Sequence, residues 1–146
     1  MRSACDLVWN VFLEFDATDY TEEGIQEFKS FITYRSIIKK FKKKELIFWG
    51  CMEKNELTGV IALGEHNHIY LLFVKKEFHR CGVAKQLFET VKENCKSENS
   101  NNRITVNSSP YAIEVYHRLG FDDINREHTV KGITFTPMAY PLDQSE

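Results

Sequence analysis

A chain of 146 residues is long enough for one domain with its own hydrophobic core, and a composition of 42% hydrophobic and 27% charged residues is ordinary for a soluble globular protein. The formal net charge of −2 argues against a general nucleic-acid binder, and no apolar run approaches the length of a membrane span. The four cysteines form no C-x-x-C pair and the N-terminus has no signal-peptide core, so we expect free thiols, a cytoplasmic location and no membrane partner.

The first 44 residues carry helical patterns. Apolar residues recur at helical spacing across residues 3–15, and residues 16–20 interrupt the pattern. Thr21 precedes two glutamates and is a candidate N-cap for a second helix. Five lysines between residues 36 and 44 are interleaved with apolar residues, which predicts the solvated face of a short helix or turn. A patch for nucleic acid or for a ligand phosphate is the alternative.

Strand patterns dominate the rest of the chain, interrupted by two helices. Residues 46–52 and 57–63 flank a polar turn and predict a hairpin. Several strands precede the first crossover helix, so we predict one α/β (α+β) domain over residues 1–146, with a mixed sheet and helices on both faces. The later elements are predicted as a strand at 68–74, a helix at 82–96, a strand at 103–107, a helix at 111–119 ended by Gly120, and strands at 121–130 and 133–142 that turn at Lys131–Gly132.

The stretch from His68 to Lys96 is where a strand leads through a polar connection to the start of a helix. The connection ends in HRCGVA, residues 79–84, whose small residues let a ligand approach the backbone. Unused first-turn N–H groups and the helix dipole favour an anion there, and basic residues surround the turn. The pattern predicts a phosphate cradle. An ordinary strand-to-helix connection is the alternative, since neither common glycine motif for nucleotides is present.

Two segments resemble the signature motifs of a known family. LFV at residues 72–74, followed by HRCGVA, resembles motif A of the GCN5-related N-acetyltransferases, which is a strand and then Q/R-x-x-G-x-G/A. AIEVYHRLGF at residues 112–121 resembles motif B, A-I-x-x-Y-x-x-x-G-F. Both segments stand in the family's order and separation, and the strand pattern around them covers nearly the whole chain.

The resemblance implies an N-acetyltransferase with a mostly antiparallel sheet, acetyl-CoA as cosubstrate, no metal, and an amine acceptor. Pyrophosphate would bind the amides of residues 80–85, and pantetheine would pair with the strand edge that splays from residues 103–107. The amide of Phe73 or Val74 would stabilise the oxyanion. The cofactor-binding residues that the resemblance implies are Leu72, Phe73, Val74, His79, Arg80, Cys81, Gly82, Val83, Ala84, Lys85, Asn107 and Ser109.

The chain departs from the family pattern at three places. His79 stands where the family usually has Gln or Arg, and Ser109 stands where it often has an Asn that contacts pantetheine. Family members usually begin with a strand, whereas this chain starts on a helical pattern, so we expect the first family strand to be absent. A partner subunit, as in a homodimer, or a longer native chain would then supply it.

Two residues are candidates for proton transfer. Tyr116 falls on the motif B tyrosine that protonates the leaving thiolate in many family members; the alternative is a core tyrosine with a satisfied hydroxyl. His68 lies eleven residues before His79, at the offset of the family's base on this strand, and an imidazole has a suitable pKa for a general base. Its alternatives are a strand cap, or a metal site with His66 that lacks further ligands nearby in sequence.

Several other polar residues fit either a functional or a structural role. Asn107 could bond pantetheine or the acceptor, or cap the following turn. Cys81 is interpreted as a small residue beside the phosphate rather than a nucleophile, because the family mostly transfers the acetyl group directly. An acidic group between the first two helices would attract a cationic amine, or simply cap and solvate; its members are Glu14, Asp16, Asp19, Glu22 and Glu23.

These patterns leave three hypotheses for function. The first is an N-acetyltransferase that acts on the amine of a small molecule or peptide. The second is a CoA-binding module that regulates without catalysis. The third is an interaction protein that uses the basic run at residues 39–44. The sequence does not identify the amine acceptor, because loop geometry shapes such pockets.

Overall fold

One mixed sheet organises the chain. The computed structural model describes residues 1–98 and 102–142, with the backbone alone for residues 96–98. The strands are β1 (Ile47–Glu53), β2 (Glu56–Gly64), β3 (His68–Val74), β4 (Arg103–Ser108), β5 (Asp122–Asp123), β6 (His128–Val130) and β7 (Ile133–Pro141). Within the described ranges they form a seven-stranded sheet in the order β1-β2-β3-β4-β7-β5, and β6 pairs with β7.

The helices precede, interrupt and follow the central strands. The α-helices are α1 (Arg2–Val11), α2 (Glu22–Ile32), α3 (Tyr34–Lys42), α4 (Val83–Glu98) and α5 (Ile113–Leu119). A π-helical turn, Phe12–Asp16, continues α1, and short 3-10 turns span Ala17–Asp19, Glu65–Asn67 and Lys76–Phe78. No helix in residues 1–98 and 102–142 is both long and apolar enough to span a bilayer.

Two hydrophobic cores lie on opposite faces of the sheet. On one face, α1, α2 and α3 bury Val8, Ile32 and Ile37 against Ala62 and Leu71. The other core joins α4 and α5 to the remaining face of the sheet; its buried members include Leu87, Phe88, Val91, Tyr116, Ile61, Ile69, Ile104 and Met138. The predicted mixed sheet with helices on both faces is therefore confirmed.

The sheet opens between β3 and β4. These two strands are parallel, and their pairing covers only His68 with Thr105 and Ile69 with Val106. On the other side of β3 the antiparallel register to β2 shifts, because Ala62 faces Leu71 while Leu63 faces Ile69. Tyr70 is therefore an extra residue in β3, and an extra residue bends a strand and increases its twist. The bulge lies just where the pairing with β4 ends.

Local sequence signals account for several boundaries. The Thr21 side chain accepts a hydrogen bond from the Gly24 N–H (3.2 Å), so the predicted N-cap is confirmed. Gly120 ends α5 with φ of 109°, as a C′ glycine does. The β1–β2 hairpin turns at Lys54 and Asn55, and the last hairpin turns at Lys131 and Gly132. All four of these turn residues have positive φ, which matches the right-handed twist of the strands.

The lysine-rich segment forms a helix of its own. Residues 34–42 make α3, whose Ile37 is fully buried against the first core. Its lysines are exposed or half-buried. This matches the predicted solvated face of a short helix.

One predicted boundary is wrong. Residues 121–130 do not form one strand, because β5 and β6 pair with β7 separately and residues 124–127 lie between them. Pro137 of β7 separates the two paired stretches, and it has no N–H to donate to a ladder. The helical pattern predicted for residues 3–15 matches helical backbone from Arg2 to Asp16, in which the π-helical turn continues α1.

The tip of the β6–β7 hairpin contacts the start of α2. The Thr21 N–H donates to the Gly132 carbonyl (3.0 Å). A Cβ on Gly24 would overlap the Gly132 carbonyl oxygen, so the two backbones approach closely. This contact fixes the segment that follows α1 against the far end of the sheet.

Replacing Gly24 tests that contact. We expect Gly24→Ala to lower the free energy of unfolding by about 2 kcal/mol, because backbone rather than a flexible side chain must move. Chemical denaturation would measure the loss. Gly50→Ala is the matched control: there the nearest atom is the Leu57 Cδ1 at 2.8 Å, which can turn away. A gain in stability from Gly24→Ala, as helix propensity alone would give, would contradict the rigid contact.

Candidate active site

The parting of β3 from β4 opens a cleft of about 440 Å³. One wall is the second half of β3, one end is the start of α4, and the opposite wall is α5 together with the π-helical turn. The residues that line it are Val11, Phe15, Asp16, Leu72, Phe73, Val74, Phe78, His79, Arg80, Gly82, Val83, Ala84, Lys85, Tyr111, Ala112, Glu114, Val115, Tyr116, Arg118 and Leu119.

A strand edge faces this cleft. Residues 72–74 pair with β2 on one side and lie beyond the pairing with β4 on the other. The Lys75 N–H donates to Thr58 of β2 (2.8 Å), and successive residues of a strand point their backbone groups to alternate sides. The N–H and C=O groups of Leu72 and Val74 therefore point into the cleft, while those of Phe73 point to β2. The edge can accept one more extended chain.

The start of α4 is open to the other end of the cleft. The Gln86 N–H makes an early helical bond to the Gly82 carbonyl (3.0 Å), so the N–H groups of residues 83–85 precede the helical ladder. Gly82 has φ of 83°, and a Cβ built there meets no atom within 4 Å. Arg80 and Lys85 line the same end. Free N–H groups beside cations suit an anionic group.

His79 holds the connection between β3 and α4 in place. Its Nε2 donates to the Val74 carbonyl (2.8 Å), which satisfies one of the polar groups that face the cleft. Its ring contacts Phe15 of the π-helical turn, with centroids 4.9 Å apart, and Phe15 contacts Tyr111 at the same distance. The three rings link the end of the cleft at the start of α4 to the segment before α5.

Tyr116 lies on the α5 wall with 5% of its surface exposed. Its ring packs edge-on against Phe121, with centroids 5.3 Å apart. Burial, and after it the charge of Asp16, raise the pKa of the Tyr116 phenol well above its usual range. Its hydroxyl therefore stays protonated at neutral pH and is available as a donor.

Asp16 is the buried carboxylate of the cleft, with 7% of its surface exposed. Its Oδ1 accepts a hydrogen bond from the Ser109 Oγ (2.8 Å). Burial raises the pKa of Asp16 to about 6, the Ser109 hydrogen bond opposes that rise, and the charge of Asp19 adds to it. Burial and the charges of Asp16 and Asp19 also raise the pKa of Tyr20 to about 12.

Comparison with known proteins identifies the family. A family model described as an acetyltransferase (GNAT) domain matches residues 16–142, most of the chain. The chain belongs to the GNAT acetyltransferase family. A sequence comparison with curated proteins found no significant match.

Solved GNAT structures share the fold at low sequence identity. A GCN5-related N-acetyltransferase from Rhodopseudomonas palustris superposes with a TM-score of 0.83 at 16% identity, over 97% of this chain and 89% of that chain. The PaiA N-acetyltransferase from Thermoplasma acidophilum, in complex with coenzyme A, superposes with a TM-score of 0.75 at 16% identity, over 96% of this chain and 91% of that chain. An aminoglycoside 6′-N-acetyltransferase, also complexed with coenzyme A, superposes with a TM-score of 0.67 at 12% identity, over 99% of this chain and 92% of that chain.

The GNAT cleft brings together ten of the residues predicted to bind the cofactor or to transfer a proton. They are Leu72, Phe73, Val74, His79, Arg80, Gly82, Val83, Ala84, Lys85 and Tyr116. Ser109 lies behind the wall and touches the cleft through Asp16. Cys81 is exposed beside the α4 start, and Asn107 is exposed on β4 opposite Pro137. Neither side chain lines the cleft.

His68 lies at the opposite end of β3 from the cleft. Its Nδ1 hydrogen bonds with the Thr105 Oγ1 (2.7 Å) across the β3–β4 pairing, and burial lowers its pKa. Val74 lies six positions further along the strand, which is a distance of about 20 Å. His68 therefore joins the two strands where they pair, and the proposals below do not use it as the base.

The sequence pattern did not distinguish Asp16 within its acidic group. Glu14, Asp19, Glu22 and Glu23 are exposed, and only Asp16 is buried in the cleft. The signal that could have singled it out is its position between Phe15 and Ala17 at the end of an amphipathic helix. Across the residues that the structure describes, no three His, Cys, Asp or Glu side chains come together as a metal site requires.

The raised pKa makes the ionised form of Asp16 a cost to stability. The folded chain holds the Asp16 proton more tightly than the unfolded chain, whose value is 3.8, so stability falls as the pH rises from there to about 6. We expect Asp16→Asn to raise the free energy of unfolding at pH 8 by at most about 3 kcal/mol. The gain should vanish near pH 4 in denaturant titrations. Asp19→Asn is the control, because Asp19 is exposed, and its free energy of unfolding should change little. An Asp16→Asn protein with the wild-type free energy of unfolding at pH 8 would refute the raised pKa.

Proposed function

We propose that this protein transfers the acetyl group of acetyl-CoA to the primary amine of a small molecule or peptide, by direct attack of the amine on the thioester. The observation that carries the proposal is the joining of a free strand edge to an open helix start within one cleft. Coenzyme A offers matching chemistry, because it has an amide-containing arm and a diphosphate. Two GNAT neighbours of the same fold are in complex with coenzyme A.

The diphosphate binds at the start of α4. The N–H groups of residues 83–85 converge there, Gly82 leaves room for close approach, and Arg80 and Lys85 supply positive charge. Because backbone groups make most of these hydrogen bonds, having His79 in place of the family's usual Gln or Arg removes little of the binding to the diphosphate. His79 instead holds the loop in place through the Val74 carbonyl.

Pantetheine extends β3 as an added strand along residues 72–74. The thioester then lies beside this edge, and a backbone N–H that faces the cleft stabilises the charge that develops on its oxygen. The alternation of backbone groups supports Val74 or Leu72 in this role, because the N–H of Phe73 points to β2. Ser109 is engaged with Asp16 and is not used as a pantetheine contact.

Tyr116 supplies the proton that the leaving thiolate takes. It lines the cleft and is protonated at neutral pH, so the phenol can donate to the departing sulfur and pass on its proton as the C–S bond breaks. A buried acid in the reaction cleft favours catalysis over a module that only binds CoA. The cytoplasmic location and the homodimer stay predictions.

Gly82→Ala tests the diphosphate site. A side chain there puts a methyl group into the cleft and disfavours the φ of 83° that aims the N–H groups. We expect acetyl-CoA affinity, measured by calorimetry, to fall about tenfold, which is about 1.4 kcal/mol. S-acetylpantetheine lacks the diphosphate, so its affinity should not change. Equal losses for both ligands would mean that the substitution disturbs the cleft as a whole and would remove the diphosphate assignment.

Tyr116→Phe tests the acid. We expect kcat for acetyl transfer to a panel of amines to fall about 100-fold, because a general acid contributes a factor of this size. Acetyl-CoA affinity should stay within about twofold, since the phenyl ring and its packing remain. Tyr34→Phe, at a ring that contacts Arg2 far from the cleft, is the matched control. An unchanged kcat in Tyr116→Phe would exclude the phenol from the reaction.

A further inference from the structure

Asp16 is a carboxylate that the fold buries in the reaction cleft without giving it a cation. Among the described residues, the ion pairs involve Glu14, Glu56, Glu89, Glu114 and Asp123, and none involves Asp16. Buried carboxylates in proteins are normally paired with a cation or a metal, because removal from water is costly. The missing partner therefore points to a ligand that carries positive charge.

We propose that Asp16 binds the ammonium group of the acceptor and takes the proton that the amine must lose before it attacks. This inference rests on the proposed function and names the residue that recognises the acceptor. The acceptor class is a primary alkylammonium that enters between the π-helical turn and α5, with Asp16 on one side and Tyr116 on the other.

The fold fixes the direction of the carboxylate. The Ser109 Oγ donates to the Asp16 Oδ1 and accepts from the Ala112 N–H (3.3 Å), so its hydroxyl proton is committed to Asp16. The second carboxylate oxygen remains for the ligand. Ser109 is thus a positioning residue that acts through Asp16. It occupies the place where the family often has an asparagine, and it changes that place from a cofactor contact to support for the carboxylate.

The surroundings set the strength of this base. The charge of Asp19, on the same segment, adds to the rise in the pKa of Asp16. The charge of Asp16 in turn raises the pKa of Tyr20, which follows Asp19, and of Tyr116, which faces Asp16 from α5. The other charged or titratable groups of the cleft are His79, Arg80, Lys85, Tyr111, Glu114 and Arg118. With its pKa raised to about 6, Asp16 is a base about a hundredfold stronger than an ordinary aspartate, and it is still ionised at pH 7.

The proposed step balances. One N–H bond of the ammonium breaks and an O–H bond forms on Asp16. The nitrogen lone pair attacks the thioester carbon, the C–S bond breaks, and the thiolate takes the Tyr116 proton. The second proton lost by the nitrogen as the amide forms restores the Tyr116 phenol. One proton per turnover stays on Asp16 and leaves to solvent, which equals the proton that acetylation of an ammonium ion releases.

A pH profile tests the base. We would measure kcat/KM for n-butylamine and for Nα-acetyl-lysine amide with saturating acetyl-CoA from pH 5 to 10. The wild type should lose activity below about pH 6, where Asp16 takes up its proton. In Asp16→Asn this acidic limb of the profile, the loss of activity below about pH 6, should disappear, and kcat/KM at pH 7 should fall at least about 100-fold. The remaining kcat/KM should rise tenfold per pH unit, because free amine can still attack. Ser109→Ala should move the limb to higher pH, since a hydrogen bond that lowers the pKa is lost.

Asp19→Asn is the matched control, because Asp19 is exposed on the same segment: its profile should keep the loss of activity at low pH and move it slightly to lower pH, since the charge of Asp19 is the smallest of the contributions to the Asp16 pKa. A wild-type profile in Asp16→Asn would overturn the inference while acetyl transfer itself stands. A second readout does not depend on turnover: the ¹³C shift of the Asp16 carboxyl in the CoA-bound protein should report a pKa that falls when n-butylamine is added.

That readout separates this inference from the proposed function. If no amine is acetylated but n-butylamine lowers the pKa of Asp16 and fails to bind Asp16→Asn, the ammonium site stands and the transferase function falls. If n-butylamine leaves the carboxyl shift unchanged, the ammonium site is overturned whether or not acetyl transfer is observed.

Discussion

The limited pairing of β3 with β4 is the constraint on which the rest of the site depends. Two residue pairs and the His68–Thr105 hydrogen bond hold the strands together at one end, and the extra residue Tyr70 turns β3 away just beyond them. An open strand edge inside a protein leaves backbone groups without partners, which is costly unless something replaces the missing strand. His79 satisfies the Val74 carbonyl, and the remaining groups are the ones that a strand-like ligand can use.

The part of the cleft formed by the π-helical turn and α5 is organised differently, by side chains rather than backbone. The π-helical turn places Phe12 in the core, Phe15 against His79, and Asp16 in the cleft. A π-helical turn adds one residue per turn, so it changes which side chains face inward, and such turns often mark functional sites. Burial of a carboxylate there reduces stability, and proteins commonly accept such a loss where function requires a charged group.

The division between these two ends explains what the sequence could predict. The strand-turn-helix around Gly82, the tyrosine of α5 and the two hairpins depend on local signals, namely periodicity, glycine placement and motif spacing, and these predictions matched the fold. The π-helical turn, the split of residues 121–130 and the burial of Asp16 depend on contacts between distant segments, such as Asp16 with Ser109. The sequence offset of His68 likewise gave its place on β3 but not its hydrogen bond to Thr105, and its role as a base stays a prediction.

The acceptor must therefore be inferred from this chain's own cleft rather than from its neighbours. At 12–16% identity, the aminoglycoside and PaiA acetyltransferases share the fold, and a shared fold sets the backbone of a cleft rather than its side chains. Backbone recognition tolerates sequence change, so it is common to enzymes with different acceptors. Side chains on the segment between α1 and α2 are not constrained in that way, and one of them is a buried carboxylate beside a protonated tyrosine. A neutral acceptor would leave the charge of that carboxylate uncompensated in the occupied cleft, whereas an alkylammonium ion neutralises it and provides the nucleophile in the same step.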